Sequence, residues 1–392
     1  MKIVDVNEFY SPTGGGVRTY LERKMAIMAE LGHELVVIAP GPEPRVEERP
    51  GGGTIHFVKG PQLALDRNYH MFWDAGPVRT LLDELQPDVV ECSSPWRPAW
   101  IVAGWQGSAL RSFFMHNDNV ATYPQRWFED VATVRGVERA FGWYTRYMRR
   151  FLARYDTVLT NGPALEQRLR ARGVRIDAAM PLGIERGYFS PALRDEGLRQ
   201  RLLAQCGLGP EATLLLGIGR HHAEKRWPLV FAAVKRASRH AAIGLVQLGR
   251  GPHTARLERL VRGHANIRLL APEHDRERLA RIMASADALI HGSETEPFGL
   301  VAAEAVAAGL PLIVPDSGGC TALADAHASV LYAARDPAAC AAAILRLIGR
   351  DPALRRRAAL LAAGRVRSDR EHVTDLLAHY DGLLAARRLR AA

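Results

Sequence analysis

Cysteine is scarce in this sequence and no apolar run is long, and each absence excludes something. Cys92, Cys206, Cys320 and Cys340 stand far apart, so they fit neither a disulfide framework nor the paired spacing of a zinc site. No stretch approaches the ~18 uninterrupted apolar residues of a membrane span. The opening Met1-Lys2-Ile3-Val4-Asp5-Val6 reads as a first strand and not as a signal peptide. A reducing cytoplasm is the expected compartment. Repeats and low-complexity tracts are also missing. What is present is bulk: 392 residues, 47% hydrophobic, supply real cores and favour two domains, or three. The net charge of +10, from 52 basic and 42 acidic side chains, favours an anionic partner. A nucleotide, an anionic membrane and nucleic acid all satisfy that charge.

The usual phosphate-binding signatures are missing too. Gly14-Gly15-Gly16 follow the first strand, but without the G-x-G-x-x-G spacing and without a Gly-Lys-Ser/Thr continuation. Such glycines let backbone approach a bulky or charged ligand closely, and they equally suit a tight turn. No Asp-x-Asp metal motif stands in a suitable loop.

One stretch organises the chain. Ala288-Leu289-Ile290 reads as a short strand, followed by a polar loop from His291, a short helix beginning near Phe298, and Leu312-Ile313-Val314 as the next strand. Pro297 and Gly299 start the helix, and Gly309 and Pro311 end it. The first turn of a helix presents unpaired N–H groups and a positive dipole end, which suit a diphosphate. Glu296 precedes the helix and Glu304 lies within it, eight residues on. Their carboxylates are therefore staggered in height, and each is able to accept from two adjacent hydroxyls, as of a sugar or a ribose. The plainer alternative is a surface loop whose acidic residues favour a helix start, with Glu304 facing solvent.

Around this stretch the chain reads as two β/α series. In the first, strands are expected at 3–6, 35–39, 55–58, 88–92, 111–115 and 157–160, with residues 41–54 as a surface loop. His116 follows a strand and precedes Asn117-Asp118-Asn119, so it points toward the edge where open α/β sheets bind ligands. Trp96, Trp100 and Trp105 fall close together. Residues 123–155 mix Tyr123, Trp127, Phe128, Phe141, Trp143, Tyr144 and Tyr147 with several arginines. A helix over 137–155 with one apolar and one cationic face suits an anionic lipid surface, or a core with a solvated basic face. Residues 186–200 are mixed and charged, as in a linker. The second series has strands at 213–218, 243–248, 267–270, 288–290 and 312–315, and the chain is helical after 337. Arg220 and Lys225 lie in the loop after a strand, where a rigid donor fork and a mobile point charge can neutralise phosphates. Surface charge alone would also account for either.

Taken together, these residues resemble the retaining, nucleotide-sugar-dependent glycosyltransferases of GT-B family 4, the glycosyl transferases group 1. Gly15-Gly16 and the helix after them resemble the family's N-terminal glycine loop. His116 resembles its histidine near the donor sugar, and Gly219-Arg220 with Lys225 its diphosphate loop. Gly249-Arg250-Gly251-Pro252 resembles its Gly-x-Gly-Pro turn. Glu296-Pro297-Phe298-Gly299-Leu300 through Glu304 matches its E-x7-E motif, followed by Ala307-Ala308-Gly309-Leu310-Pro311. In two places the chain departs from the pattern. Val17-Arg18 stand where many relatives carry an acidic residue, and the adjacent His221-His222 are unusual but lack partners for a metal site.

The resemblance implies an α/β protein of GT-B fold, two doubly wound Rossmann-like domains facing across a cleft. Residues 1–185 would bind the acceptor and 186–369 the nucleotide sugar, with a last helix at about 370–392 packing back on the first domain. Arg220 and Lys225 would hold the phosphates, Glu304 the ribose and Glu296 the sugar. The amides of Phe298, Gly299 and Leu300 would add phosphate contacts, and Gly15 and Gly16 would close over the diphosphate. The catalytic set is His116, Arg220, Lys225 and Glu296. Front-face attack is expected, and Asp118 is the nearest candidate for a nucleophile in the covalent alternative. The donor is a GDP-sugar or a UDP-sugar carrying a mannose- or glucose-type hexose, without a metal or other cofactor. The expected acceptor is a hydroxyl of a membrane lipid or lipid-linked glycan, which would put the protein on the inner face of the cell membrane. A soluble acceptor is the alternative. A non-catalytic nucleotide-sugar sensor is a further one. No nucleic-acid motif is present, and nucleic acid is not an expected partner.

Overall fold

The computed structural model describes all residues but 11–15, 64–68, 123, 129–130 and 392, without the side chains of 16, 122, 126 and 391. Gly14, Gly15 and Tyr123, singled out above, lie outside the described residues. The chain forms two compact units, Met1–Pro181 with Asp369–Ala392, and Leu182–Ser368.

The first unit is built on β1 (Lys2–Val6), β2 (Glu34–Gly41), β3 (Arg45–Glu48), β4 (Thr54–Lys59), β5 (Val89–Cys92), β6 (Leu110–Met115), β7 (Thr157–Thr160) and β8 (Ala178–Ala179). They lie in the order β3-β4-β2-β1-β5-β6-β7-β8, parallel except where β3 runs against β4. Strands covered on both faces read as continuous apolar runs, and β2 is buried from Leu35 to Gly41. Crossovers run one way from β1 through β2 to β4 and the other way through β5 to β7, so the topology switches between β1 and β5. The helix Gly16–Glu30 follows β1, and Val4, Val36, Val90, Phe113, Phe151 and Val158 lie in the core.

The second unit repeats the plan with β9 (Thr213–Ile218), β10 (Ile243–Leu248), β11 (Ile267–Leu270), β12 (Ala288–Ile290), β13 (Leu312–Pro315) and β14 (Val330–Tyr332). All pair in parallel in the order β11-β10-β9-β12-β13-β14, with the switch between β9 and β12. Side chains alternate across the sheet. Leu214, Leu216 and Leu289 enter one core cluster, Leu215, Ala288 and Ile290 the other.

Three sequence expectations need correction. Residues 41–54 hold an edge strand, β3, whose only apolar residue is Val46; its charges disguise it, and such charges suit an exposed edge. The single helix over 137–155 is two, Val134–Ala140 and Gly142–Leu152, because Phe141 leaves the helical conformation at φ −93° and ψ 15°. Residues 186–200 are not a linker. They hold a turn at Pro191–Leu193 and the start of the helix Glu196–Gln205, capped by Asp195, whose carboxylate accepts from Leu198 N at 2.9 Å. The charges that suggested a linker are partly paired, Arg194 and Arg199 both with Asp287.

The last helix, Asp369–Ala391, belongs to the first unit. Val373, Leu376 and Tyr380 are buried there, and His379 meets Thr157 of β7 at 3.0 Å.

Candidate active site

In the second unit, two loops leave the C-terminal ends of the strands at the switch point. Residues 219–226 follow β9 and 291–299 follow β12. An open sheet leaves a crevice there because its crossovers diverge. The first loop carries Arg220 and Lys225, and the second carries Glu296 and leads into the helix Leu300–Ala307.

Lys225 Nζ donates to Glu296 Oε2 at 2.6 Å. Burial disfavours both charges, yet each partner outweighs that penalty for the other. The Lys225 ammonium is held above its usual range and the Glu296 carboxyl below its own, with Arg220 adding to the latter. Arg220 itself is mostly exposed, 3.2 Å from Glu224, while its carbonyl accepts from Trp227 Nε1 at 3.0 Å. Its backbone is therefore anchored and its guanidinium is presented to solvent.

Gly299 caps the helix at φ +90°, a left-handed conformation that favours glycine, and a Cβ there would lie 2.6 Å from Cys320 Sγ. No side chain caps this helix start. Its first-turn amides and dipole thus suit an anion arriving beside Lys225. Phe298 and Leu300 flank the cap, and Glu304 is half-buried further along the helix. The structure therefore brings Arg220, Lys225, Glu296, Phe298, Gly299, Leu300 and Glu304 onto one edge of one unit.

His291, the residue just after β12, has no role assigned from its place in the sequence. Its Nδ1 accepts from Ser293 N at 3.2 Å, so the proton sits on Nε2, which lies 3.7 Å from Glu296 Oε2. Burial and the Lys225 charge push its pKa down to about 4, so the ring is neutral at pH 7. The signal that singled out His116, a histidine just after a strand, would have found it. Glu294, Arg226 and Arg335 were missed as well: Arg226 Nε donates to Glu294 Oε2 at 2.6 Å and Arg335 Nε to Glu294 Oε1 at 2.9 Å.

The remaining candidates lie in the first unit. Gly16 opens its helix, and Gly15 lies outside the described residues. His116 follows β6, stacks on Phe114 with ring centroids 4.4 Å apart and meets the edge of Tyr20 at 5.4 Å. Its carbonyl accepts from Asn161 Nδ2 at 2.8 Å. Burial, with the Lys24 charge beyond it, pushes its pKa down to about 3. Asp118 is committed elsewhere: it pairs with Arg172, and its Oδ1 accepts from Val120 N and Ala121 N at 3.2 Å. Arg18 pairs with Glu22 one turn on, at 2.9 Å. His221 is wired to Thr254 and Gln247, and no cluster of metal-ligating side chains occurs among the described residues.

Residues 15–183 match the family model described as a glycosyl transferase 4-like domain, and 212–350 match that of the glycosyl transferases group 1. The chain is 29% identical to a GDP-mannose-dependent alpha-(1-6)-phosphatidylinositol dimannoside mannosyltransferase of Mycobacterium tuberculosis, over 92% of this chain and 91% of the relative. It is 27% identical to a glycogen synthase of the same organism, over 99% and 95%. Among solved structures it superposes on a sucrose-phosphate synthase from Thermosynechococcus elongatus with TM-score 0.75 at 20% identity, covering 98% of this chain and 100% of the other.

Proposed function

Because this chain belongs to family 4 of the GT-B glycosyltransferases, and so transfers sugar from a nucleotide donor to a hydroxyl acceptor, we propose that it moves a hexose from GDP-mannose or a related donor to a membrane lipid or lipid-linked glycan, with retention of configuration. One observation carries the donor half of this reading. The Lys225–Glu296 pair stands beside an uncapped helix start at the switch point of the second sheet.

The pyrophosphate takes the place of Glu296 as the partner of Lys225, with Arg220 and the amides near Phe298–Leu300 as further donors. Glu296, released from Lys225, accepts from sugar hydroxyls, and Glu304 accepts from the ribose. As the anomeric C–O bond to the diphosphate breaks, negative charge grows on the departing oxygen, and Lys225 and Arg220 stabilise it. The acceptor oxygen bonds to the anomeric carbon on the same face, and its proton passes to that departing oxygen. Asp118 is tied to Arg172 and to backbone amides, which favours this route over a covalent intermediate. His116, neutral at pH 7, serves as a hydrogen-bonding group near the sugar.

Two observations support the lipid acceptor. The relative just described acts on a phosphatidylinositol dimannoside. In this chain Trp127, Phe128, Val131, Val134 and Trp143 are exposed, with Arg135, Arg139 and Arg146 exposed among them. The inward side of the second of these helices, Tyr144, Met148 and Phe151, belongs to the core, so only the outward side is available to a bilayer. Among the described residues no helix is long and apolar enough to cross a membrane, so contact would be peripheral. The glycogen synthase relative keeps a soluble polysaccharide acceptor as the second reading.

The test is a transfer assay with GDP-mannose, GDP-glucose, UDP-glucose and UDP-galactose against lipid and soluble acceptors, with the product anomer read by NMR. An inverted anomer rules out the front-face route. Failure to float with anionic or neutral vesicles removes the lipid-surface reading. Activity is expected to survive a chelator; loss with EDTA and recovery with magnesium would show that a metal is required.

A further inference from the structure

Among the described residues only Gln86, Arg226 and Arg335 combine a side chain with a positive φ, at +46°, +48° and +66°. Gln86 ends the helix Gly76–Leu85, where a left-handed residue is ordinary. Arg226 likewise ends the short turn Ala223–Lys225, and Arg335 lies in a turn closed by Asp336 N donating to Ala333 O at 3.2 Å; what sets these two apart is that both hold the same carboxylate. Arg226 grips Glu294 through two nitrogens, Nε to Oε2 at 2.6 Å and Nη2 to Oε1 at 2.5 Å, and Arg335 Nε reaches Oε1 at 2.9 Å. Glu294 is nearly buried, and the charges of its partners overcome burial and keep it ionised.

Each of the three comes from a different loop at the same sheet edge, after β9, β12 and β14. Two more contacts fix the same segment. Tyr332 of β14 donates its hydroxyl to His291 O at 2.7 Å. Gly292 lies so close to the β9 loop that a Cβ would be 2.7 Å from Lys225 O. The pairs Lys225–Glu296 and Arg226–Glu294 thus form adjacent rungs between two loops. One rung must open when a pyrophosphate arrives, and the other has no ligand to meet. Two left-handed turn residues thus converge on one carboxylate beside the site, and each keeps its costly conformation where the surrounding contacts over-determine it.

We infer that Arg226 and Arg335, acting through Glu294, are positioning residues for donor binding. They hold the 291–299 loop against the 219–226 loop, so that Lys225 exchanges Glu296 for the pyrophosphate by side-chain motion alone. This rests on the diphosphate reading of Lys225 given above. A glycine at either arginine relieves the left-handed backbone but takes a partner from Glu294, so the two effects on stability oppose each other and the loss of function stands apart from them.

The experiment compares Arg226→Gly, Arg335→Gly, Glu294→Gln and Lys225→Ala in the full chain. It reads melting temperature, binding of GDP and UDP as probes, and kcat and KM for donor and acceptor separately. Arg226→Gly is expected to melt close to wild type. Its diphosphate affinity and donor kcat/KM should fall by about tenfold or more, as misplacement of catalytic groups does, with acceptor KM unchanged. Arg335→Gly should show the same pattern more weakly, and being at the more exposed end of the clamp it decides the matter should Arg226→Gly fail to fold. Donor kcat/KM within twofold of wild type in the folded glycine variants, beside an inactive Lys225→Ala, would overturn the inference. So would equal losses in donor and acceptor KM, which mark a general loosening. If Lys225→Ala itself keeps nucleotide affinity and turnover, the diphosphate reading has failed, and the clamp with it.

Discussion

Lys225 and Glu296 illustrate how much a single contact decides. Lys225 raised and Glu296 lowered from their ordinary values mean that each stabilises the fold by being charged. The Glu296 contribution is complete above its usual pKa near 4.5 and is lost as pH falls through the depressed value. The Lys225 contribution is complete below about 10.5 and is lost as pH rises through the elevated one. We expect Lys225→Ala to lower turnover by about two to three orders of magnitude while circular dichroism stays native, since in the proposed mechanism it removes a charge that stabilises the leaving diphosphate. Near wild-type turnover would remove Lys225 from the machinery. His116 works in the opposite sense. With its pKa pushed from 6.5 down to about 3, the native state refuses a proton that the unfolded chain accepts. Below pH 6.5 this costs about 1.4 kcal/mol per pH unit. His116→Gln lacks that penalty, so urea titrations at pH 7.5 and 5.5 should show the variant gaining on wild type as pH falls. A pH-independent difference would mean that His116 is not shielded as described.

The elements that hold these residues were unequally visible in the sequence. Strands buried on both faces announce themselves as apolar runs, and β1, β2, β9, β10 and β13 lie where the runs are. Short or charged elements do not: β3 carries one apolar residue, β14 spans Val330–Tyr332 only, and the helix Glu196–Gln205 hides among ion pairs. The last helix was anticipated on the first unit by family resemblance, but its anchor was not. Tyr380 donates to Glu91 Oε1 at 2.6 Å and lies 2.8 Å from Ser112 Oγ, while the other Glu91 oxygen pairs with buried Lys24. Two helices and two strands thus meet at one buried carboxylate. Tyr380→Phe would leave that charge one donor short, at a cost of about 1.5–3 kcal/mol. Chemical denaturation should show this as a lowered midpoint with an unchanged slope; an unchanged midpoint would mean that solvent or another donor replaces the hydroxyl.

At the scale of the whole molecule, the chain passes between units twice, after Pro181 and after Ser368. The second unit is continuous in sequence, and the core clusters on both faces of its sheet draw only on its own residues. We therefore expect residues 182–368 to fold alone, unfold cooperatively and gain thermal stability from GDP or UDP. The first unit is discontinuous and needs Asp369–Ala391 to cover Glu91 and Ser112. Residues 1–181 alone should aggregate or expose apolar surface to a dye. A molten 182–368 fragment would contradict the independence of its core.

By itself the sequence determined that two β/α series exist, where each turns, and that acidic and basic residues gather in the loops after particular strands. Periodicity and glycine placement are local properties, and they survive without knowledge of neighbours. The tertiary structure alone decided which loops share an edge. Residues 225 and 296 are 71 apart in the chain, and only the reversal of strand order between β9 and β12 puts them in contact. The same holds for Glu294, whose two arginines come from loops on either side of it in sequence. A carboxylate in a polar loop looks like any other until the sheet brings its partners within 3 Å, because charge pairing depends on distance through space.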